Sequence, residues 1–294
     1  MVFNLVSLKP PAYSAFPSFF DDTITAVGYA LKDAGYVAFL STNKIVADGV
    51  NIVWGVGTHL FPDIEKFRNS SSVSNTVIFN MEQIGSSSEL ISREYLRLLT
   101  DYVVLDYNSA NVAALSDKTG KLGAAYEFPI TPIPDFSCFD NEPPKILYDY
   151  IFYGALSERR LRLIESLVQS GLTVKIARGF GNDLSAQILS AKFVLNIHLH
   201  STAIFEVARV LRPLSHGVPI LSEISVMPAE VDWGSSGVYF VDERKFVEVA
   251  SDLVRSSSAY AEKQRAAVAF SRRRHVDRVR HTVETLAKDL AMRR

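Results

Sequence analysis

The feature that most constrains the fold is the stretch from Phe193 to Glu223, which reads FVLNIHLHSTAIFEVARVLRPLSHGVPILSE. Its hydrophobic pattern predicts, in order, a buried strand (Phe193 to Ile197), a polar corner (His198 to Thr202), a helix (Ala203 to His216) and, after Gly217, a second buried strand (Val218 to Ser222). A strand, a helix and a strand in this order form a βαβ crossover, which joins two parallel strands. The stretch therefore indicates a parallel sheet.

Both halves of the chain repeat this alternation of apolar strands and helices. Near-continuous apolar strands separated by helices are typical of a parallel sheet that is covered on both faces. Between the halves, residues 129–145 read PITPIPDFSCFDNEPPK and hold five prolines, a composition that often marks a domain boundary. We therefore predict an α/β fold with two Rossmann-like, doubly wound domains facing a cleft. The domains are expected over residues 1–140 and 141–294, with a last helix at about 259–291 that is long enough to cross back to the first domain.

Composition argues against several classes of function. The 294-residue chain has a formal net charge of −1, so it lacks the positive field of a nucleic-acid-binding protein, and we predict no nucleic-acid partner. One cysteine, Cys138, allows neither an intrachain disulfide nor a cysteine-based zinc site. The chain shows neither a signal-peptide pattern nor the run of about 18 apolar residues that crosses a membrane. A cytoplasmic protein is the expectation.

Several separated motifs occur in one order along the chain. They are IFNMEQ, VVLDYNSAN, FYGALSERR and LNIHLHSTAIFEVARVLRPLSHGVPILSE. In these motifs, over roughly residues 76–223, the chain resembles small bacterial glycosyltransferase-like proteins of surface-glycan synthesis. The resemblance implies a GT-B architecture and a metal-independent enzyme that needs no cofactor. It further implies that the C-terminal domain holds an activated, nucleotide-linked sugar and that the N-terminal domain holds the acceptor glycan.

Polar residues at the predicted carboxyl ends of the C-terminal strands are the candidates for donor binding, because ligands of open α/β sheets bind at that edge. A glycine before a helix lets a phosphate approach backbone N–H groups, and arginine suits phosphate oxygens. We assign donor binding to Gly154, Arg160, His198, Ser201, Glu206, Arg209, Arg212 and Glu223. A structural alternative remains open, because Glu206 lies three residues before Arg209 and this spacing also suits an ion pair within one helix.

Sugar transfer requires a base for the acceptor hydroxyl. Glu82 follows a predicted buried strand inside the IFNMEQ motif and is our first candidate. His59, in a glycine-flanked loop, is the second candidate, and Asp106, at the end of the next strand, is the third. Gln83, Asp106 and Asn108 are assigned to acceptor binding. No carboxylate-rich metal motif stands out, so no metal is predicted.

A basic run begins at Ser271 and includes Arg272, Arg273, Arg274, Arg278 and Arg280. Such a run is usually a solvated helix face, but a basic helix also docks onto anionic membranes. Two expectations stay open: a solvated face, or weak docking of a cytoplasmic protein to the anionic surface of the inner membrane.

Together these observations predict a glycosyltransferase that moves a sugar from a nucleotide-sugar donor to a hydroxyl of a glycan or lipid-linked glycan. Two alternatives remain. A non-catalytic two-domain binding protein, or a glycosyltransferase-like partner subunit, would bind the nucleotide without consuming the donor. A sugar epimerase of the same fold would act without an acceptor.

Overall fold

The computed structural model describes residues 1–10, 18–58, 61–84, 91–119, 124–133, 145–199, 204–227 and 231–293. The chain divides into two compact units. The first unit comprises Met1–Ile130, Pro228–Val231 and Arg274–Arg294, and the second comprises Thr131–Met227 and Asp232–Arg273.

The described residues form eleven strands and ten α-helices. The strands are β1 (Val2–Ser7), β2 (Val37–Thr42), β3 (Val50–Trp54), β4 (Thr76–Asn80), β5 (Val103–Asp106), β6 (Ala125–Glu127), β7 (Tyr148–Tyr153), β8 (Val174–Ala177), β9 (Ala191–Asn196), β10 (Ile220–Glu223) and β11 (Val238–Val241). The helices are α1 (Asp21–Asp33), α2 (Ile64–Ser70), α3 (Arg93–Asp101), α4 (Ser109–Thr119), α5 (Glu158–Gln169), α6 (Gly181–Leu189), α7 (Val207–Ser215), α8 (Phe246–Arg255), α9 (Ser257–Ser271) and α10 (Val276–Met292).

Each unit is built on one parallel sheet. The first sheet has the order β2-β1-β3-β4-β5-β6, and the second has the order β11-β10-β9-β7-β8. Every residue of β3, β4 and β5 is buried, because the sheet is covered on both faces. The prediction of an α/β chain with doubly wound parallel sheets is confirmed.

The strand orders identify the sheet edge at which doubly wound folds generally bind ligands. In a doubly wound sheet the binding crevice lies at the carboxyl ends of the two strands where the order reverses. These strands are β1 and β3 in the first unit, and β7 and β9 in the second. The polar residues described below follow β7 and β9, and also β4 and β5 of the first sheet.

Serine side chains cap two of the helices. The Ser92 hydroxyl accepts a hydrogen bond from Tyr95 N at 3.0 Å and caps α3. The Ser157 hydroxyl accepts one from Arg160 N at 3.3 Å and caps α5. A serine hydroxyl satisfies an N–H group that the first turn of a helix leaves without a partner.

The predicted helix over Ala203 to His216 begins later, at Val207. Residues 201–203 lie outside the described part of the chain, and Ile204 forms a parallel bridge with Val226. The backbone N–H of Phe205 also donates to Val226 O at 3.0 Å. This pairing holds the chain extended, so the helix starts only after Glu206.

The single long helix predicted near residues 259–291 is two helices, α9 and α10. Ala267 and Phe270 of α9 are buried within the second unit, whereas Val279 and Val283 of α10 are buried within the first. Since the two apolar faces pack in different units, the helix is interrupted between Ser271 and Val276. Sequence patterning also did not predict α2, α4 or β6.

Candidate functional site

Two buried guanidinium groups share one carboxylate at the carboxyl end of the second sheet. Glu206 Oε1 lies 3.3 Å from Arg160 Nη2, and Glu206 Oε2 lies 2.6 Å from Arg209 Nε. Arg160 is 1% exposed and Arg209 is 8% exposed. Two positively charged side chains therefore contact one negatively charged side chain in a buried environment. The group formed by Arg160, Glu206 and Arg209 is called the arginine cluster below.

Backbone carbonyls hold the Arg160 side chain in place. Its Nε donates to Ile197 O at 2.8 Å, beyond the end of β9, and its Nη1 donates to Ala155 O at 2.7 Å, beyond the end of β7. The guanidinium also lies 5.5 Å from the centre of the Phe152 ring, within range of a cation–π contact. Arg160 therefore joins the two strand ends at the reversal point of the sheet.

Arg209 packs directly against Gly154. Gly154 has φ +116°, a left-handed conformation that favours glycine, and a Cβ atom at this position would collide with the Arg209 guanidinium. Arg209 Nη1 donates to Tyr153 O, and the Tyr153 hydroxyl donates to Arg209 O. The glycine that we predicted for phosphate binding thus also makes room for an arginine.

The pKa values of the cluster follow from burial and from the excess positive charge. Burial, together with the charge of Arg209, lowers the pKa of Arg160 to about 10. Burial alone would raise the pKa of Glu206, but the charges of Arg209 and Arg160 outweigh burial and hold that pKa below its ordinary value. Glu206 is therefore an anion at neutral pH, and Arg160 stays charged.

Glu223, at the end of β10, is occupied by a neighbouring arginine and a backbone group. Arg159 Nη1 donates to Glu223 Oε2 at 2.9 Å, Arg159 Nη2 donates to Glu223 Oε1, and His198 N donates to Glu223 Oε2 at 2.6 Å. Hydrogen bonding to Glu223 raises the pKa of Arg159. Arg159 also contacts the exposed Glu243 at 2.8 Å. Glu223 thus joins α5 to the segment after β9.

His198 lies beside this pair. Its Nε2 is 2.8 Å from the Ser225 hydroxyl. Burial lowers the pKa of His198, against the opposing charge of Glu223, so the imidazole is neutral at pH 7. His198 is 2% exposed and belongs to the same strand-end group as Arg159 and Glu223.

Arg212 has contacts apart from the arginine cluster. Its Nη1 donates to the Ser185 hydroxyl on α6 at 2.8 Å, and His216 Nε2 lies 2.9 Å from the same hydroxyl. Burial and the charge of Arg212 lower the pKa of His216 to about 4. The structure thus brings Gly154, Arg160, Glu206 and Arg209 together and places Arg212 in a separate group. Ser201 and His59 lie outside the described residues.

In the first unit, polar side chains meet at the ends of β4 and β5. Asp106 Oδ2 accepts from Asn80 Nδ2 at 2.6 Å, and its Oδ1 accepts from Asn108 N at 2.9 Å and from Asn111 Nδ2 at 3.3 Å. The Tyr95 hydroxyl donates to Asn80 Oδ1 at 2.8 Å. Asn80, Asn108 and Asn111 are all buried. Asn80, Tyr95 and Asn111 were not among the predicted site residues.

Glu82 and Gln83 follow this buried group and are half-buried. Asp106 is 2% exposed, and its two oxygens are engaged by Asn80, Asn108 and Asn111. Of the two described acidic residues considered for the base, Glu82 is therefore the less buried.

The Asp106 carboxyl makes the stability of the protein depend on pH. Burial raises its pKa from 3.8 to about 7, against the opposing hydrogen bonds of Asn80, Asn108 and Asn111. Since the folded pKa exceeds the unfolded one, the contribution of Asp106 is fully present below about pH 4 and is lost as the pH rises through about 7. Relative to Asp106→Asn, the wild-type free energy of unfolding should fall by on the order of 2–3 kcal/mol between about pH 5 and 8. Urea denaturation of the wild type and of Asp106→Asn at the two pH values measures this change in the free energy of unfolding. A stability difference that does not change with pH contradicts the shift.

The described residues contain no group of three or more histidine, cysteine, aspartate or glutamate side chains that could hold a metal ion. No helix among them is long and apolar enough to cross a membrane.

No protein-family model matches the chain. In sequence, it is 29% identical over 157 residues to uncharacterized protein L140 of Acanthamoeba polyphaga mimivirus, across 52% of this chain and 50% of that protein. It is 25% identical over 154 residues to uncharacterized protein L137 of the same virus, across 49% of this chain and 21% of that protein. The chain thus matches half the length of the first relative and about a fifth of the second.

Solved structures match almost the whole chain. HepE of Anabaena, in complex with UDP and glucose, has a TM-score of 0.62 at 14% identity, covering 96% of this chain and 99% of HepE. AviGT4, a glycosyltransferase involved in avilamycin A biosynthesis, has a TM-score of 0.57 at 16% identity, covering 99% of this chain and 98% of AviGT4. WaaG, a glycosyltransferase involved in lipopolysaccharide biosynthesis, has a TM-score of 0.59 at 11% identity, covering 99% of both chains. This chain therefore has the α/β fold of the GT-B glycosyltransferases, with two Rossmann-like doubly wound units.

Proposed function

We propose that this protein is a glycosyltransferase that moves a sugar from a nucleotide-sugar donor to the hydroxyl of a glycan. One observation carries the proposal: two buried arginines share a single carboxylate at the strand ends where a doubly wound sheet binds its ligand. A buried excess of positive charge is costly unless an anion offsets it. The diphosphate of a nucleotide sugar supplies that anion, and its charge grows as the sugar leaves.

In this proposal the second unit holds the donor. Arg160 and Arg209 face the diphosphate, and Gly154 allows it to approach the backbone before α5. The leaving nucleotide gains negative charge as its bond to the sugar breaks, and fixed positive groups stabilise such charge. The first unit holds the acceptor, and Glu82 accepts the proton of the attacking hydroxyl. The acceptor we favour is a surface glycan or a lipid-linked glycan, in keeping with the motif resemblance.

Nucleotide binding tests the donor site without requiring the acceptor. We expect UDP or UDP-glucose to raise the melting temperature of the protein, since a ligand at about 100 times its Kd stabilises the folded state by about 2.7 kcal/mol. Arg209→Ala should weaken this binding by about 1–3 kcal/mol, the value of a charge-assisted hydrogen bond. Arg162→Ala is the matched control, because Arg162 lies on α5 but pairs with Glu158 in an exposed position. Equal nucleotide affinity in both variants would place the donor elsewhere.

We further propose that the protein docks weakly to an anionic membrane surface through its C-terminal basic run. Part of this charge is neutralised, because Arg273 lies 3.6 Å from Asp232 and Arg274 lies 2.6 Å from Asp33. Docking should therefore be weak and salt-sensitive, at about 1 kcal/mol per basic residue that remains available near the surface. Co-sedimentation with anionic and neutral vesicles measures it. Equal binding to both, or binding to neither, leaves the solvated-face interpretation.

A further inference from the structure

Asn80, the last residue of β4, holds the backbone of Glu82 at both of its polar groups. Asn80 Oδ1 accepts from Glu82 N at 3.1 Å, and Asn80 Nδ2 donates to Glu82 O at 2.9 Å. Asn111, in the first turn of α4, donates to the same Glu82 oxygen at 2.9 Å. The strand ends at Asn80, so these side chains satisfy backbone groups of Glu82 that the sheet would otherwise satisfy.

Asp106 orients both amides. It accepts from Asn80 Nδ2 at 2.6 Å and from Asn111 Nδ2 at 3.3 Å, and it lies opposite Asn80 in the register of β4 and β5. The Tyr95 hydroxyl donates to Asn80 Oδ1 at 2.8 Å from α3. The amide of Asn80 is thus fixed by groups on two neighbouring elements.

The same network holds the chain beyond Glu82. Asn111 Oδ1 accepts from Ile84 N at 2.9 Å, so the backbone is fixed on both sides of Gln83. Asn80, Asp106 and Asn111 are each at most 2% exposed, whereas Glu82 is half-buried. Glu82, a half-buried residue, is therefore carried by backbone that a buried network holds.

We propose that Asn80, Asp106 and Asn111 are positioning residues that hold Glu82 where it takes the proton of the acceptor hydroxyl. The inference rests on the proposed function and on Glu82 as the base. A general base works only within hydrogen-bond distance of the proton that it removes, and a misplacement of about 1 Å lowers a rate by about 10²-fold. In this proposal Asp106 acts by positioning Glu82, and it does not need to contact the acceptor itself.

Asn51 supplies a matched control in the same unit. Its Oδ1 accepts from Val46 N at 2.9 Å, and its Nδ2 donates to Val46 O at 2.9 Å. Asn51 thus holds the two backbone groups of Val46 as Asn80 holds those of Glu82, and Asn51 is also fully buried. Val46 lies in a loop that has no part in the proposed chemistry. Asn51→Ala and Asn80→Ala therefore remove similar bonds with different expected consequences for the reaction.

The test is a double-mutant cycle with UDP-glucose, or the nucleotide sugar that the wild type uses best, as donor. We expect Asn80→Ala to lower kcat for transfer by about 10²-fold when Glu82 is present, and by less than about threefold in the Glu82→Gln background, since residues that act as a unit are not additive. Asn51→Ala should change kcat by the same small factor in both backgrounds. Circular dichroism confirms folding, and Asn111→Ala replaces Asn80→Ala if that variant does not fold.

Each other outcome overturns a defined part of the account. If Asn80→Ala lowers kcat equally in both backgrounds, the network is only structural and the inference is wrong. If Glu82→Gln transfers sugar at the wild-type rate, the base and its positioning are wrong while the transferase function stands. If the wild type consumes no donor, the proposed function itself is wrong.

Discussion

Replacing Glu82 by glutamine is expected to lower the rate of sugar transfer by about 10² to 10⁴-fold, the usual contribution of a general base. Glutamine keeps the shape of the side chain but removes its basicity. Donor affinity should survive, because the arginine cluster belongs to the second unit. Steady-state kinetics with saturating donor, together with a calorimetric measurement of nucleotide affinity, separates the two effects.

His59→Ala is the parallel variant, since His59 is the other candidate base. Activity close to wild type in Glu82→Gln, together with an inactive His59→Ala protein, would assign the proton transfer to His59. If both variants remain active, Asp106 becomes the next candidate, although its oxygens already accept hydrogen bonds from Asn80, Asn108 and Asn111.

The second large effect is expected at Glu206. Glu206→Gln leaves Arg160 and Arg209 buried without the carboxylate that both contact, so it should destabilise the protein by about 3–5 kcal/mol, the cost of breaking a buried ion pair. Urea denaturation measures this loss. Glu158→Gln is the control, because Glu158 pairs with Arg162 at the surface and such pairs contribute about 0–1 kcal/mol.

An anion should offset part of the loss in Glu206→Gln. UDP or inorganic phosphate is expected to raise the melting temperature of this variant at least as much as that of the wild type, since the two guanidinium groups then lack their internal partner. A variant that is as stable as the Glu158→Gln control, with no response to anions, would contradict the description of the cluster as a buried excess of positive charge.

The sheets and several helix starts could be predicted because their causes are local. Apolar runs mark strands buried on both faces, and serines at positions 92 and 157 cap the helices that follow. The late start of α7 could not be predicted, because it depends on the pairing of Ile204 with Val226, 22 residues further along the chain. The break between α9 and α10 follows from packing in two different units, which helical periodicity does not show.

The placement of polar candidates beyond the ends of strands could be predicted, whereas most of their contacts could not. The strand-end rule selected Glu82, Gly154 and Arg160. It did not reveal that Arg159 bonds Glu223, because the two residues are 64 positions apart in sequence. Nor did it reveal Asn80 or Asn111, whose amides hold the backbone of Glu82. Asparagine is common in the turns that follow strands. Its presence there therefore does not indicate that it holds the backbone of a catalytic residue.

The most direct measurement of the central claim is donor turnover. The wild-type protein is incubated with a panel of nucleotide sugars, with and without glycan acceptors, and mass spectrometry follows the released nucleotide and the sugar products. We predict that at least one nucleotide sugar that binds is also consumed when an acceptor is present, with release of the nucleotide and extension of the glycan by one sugar. A nucleotide that binds while no donor is consumed would identify a non-catalytic binding protein, and an isomerised sugar formed without an acceptor would identify an epimerase. Either result contradicts the proposed glycosyltransferase.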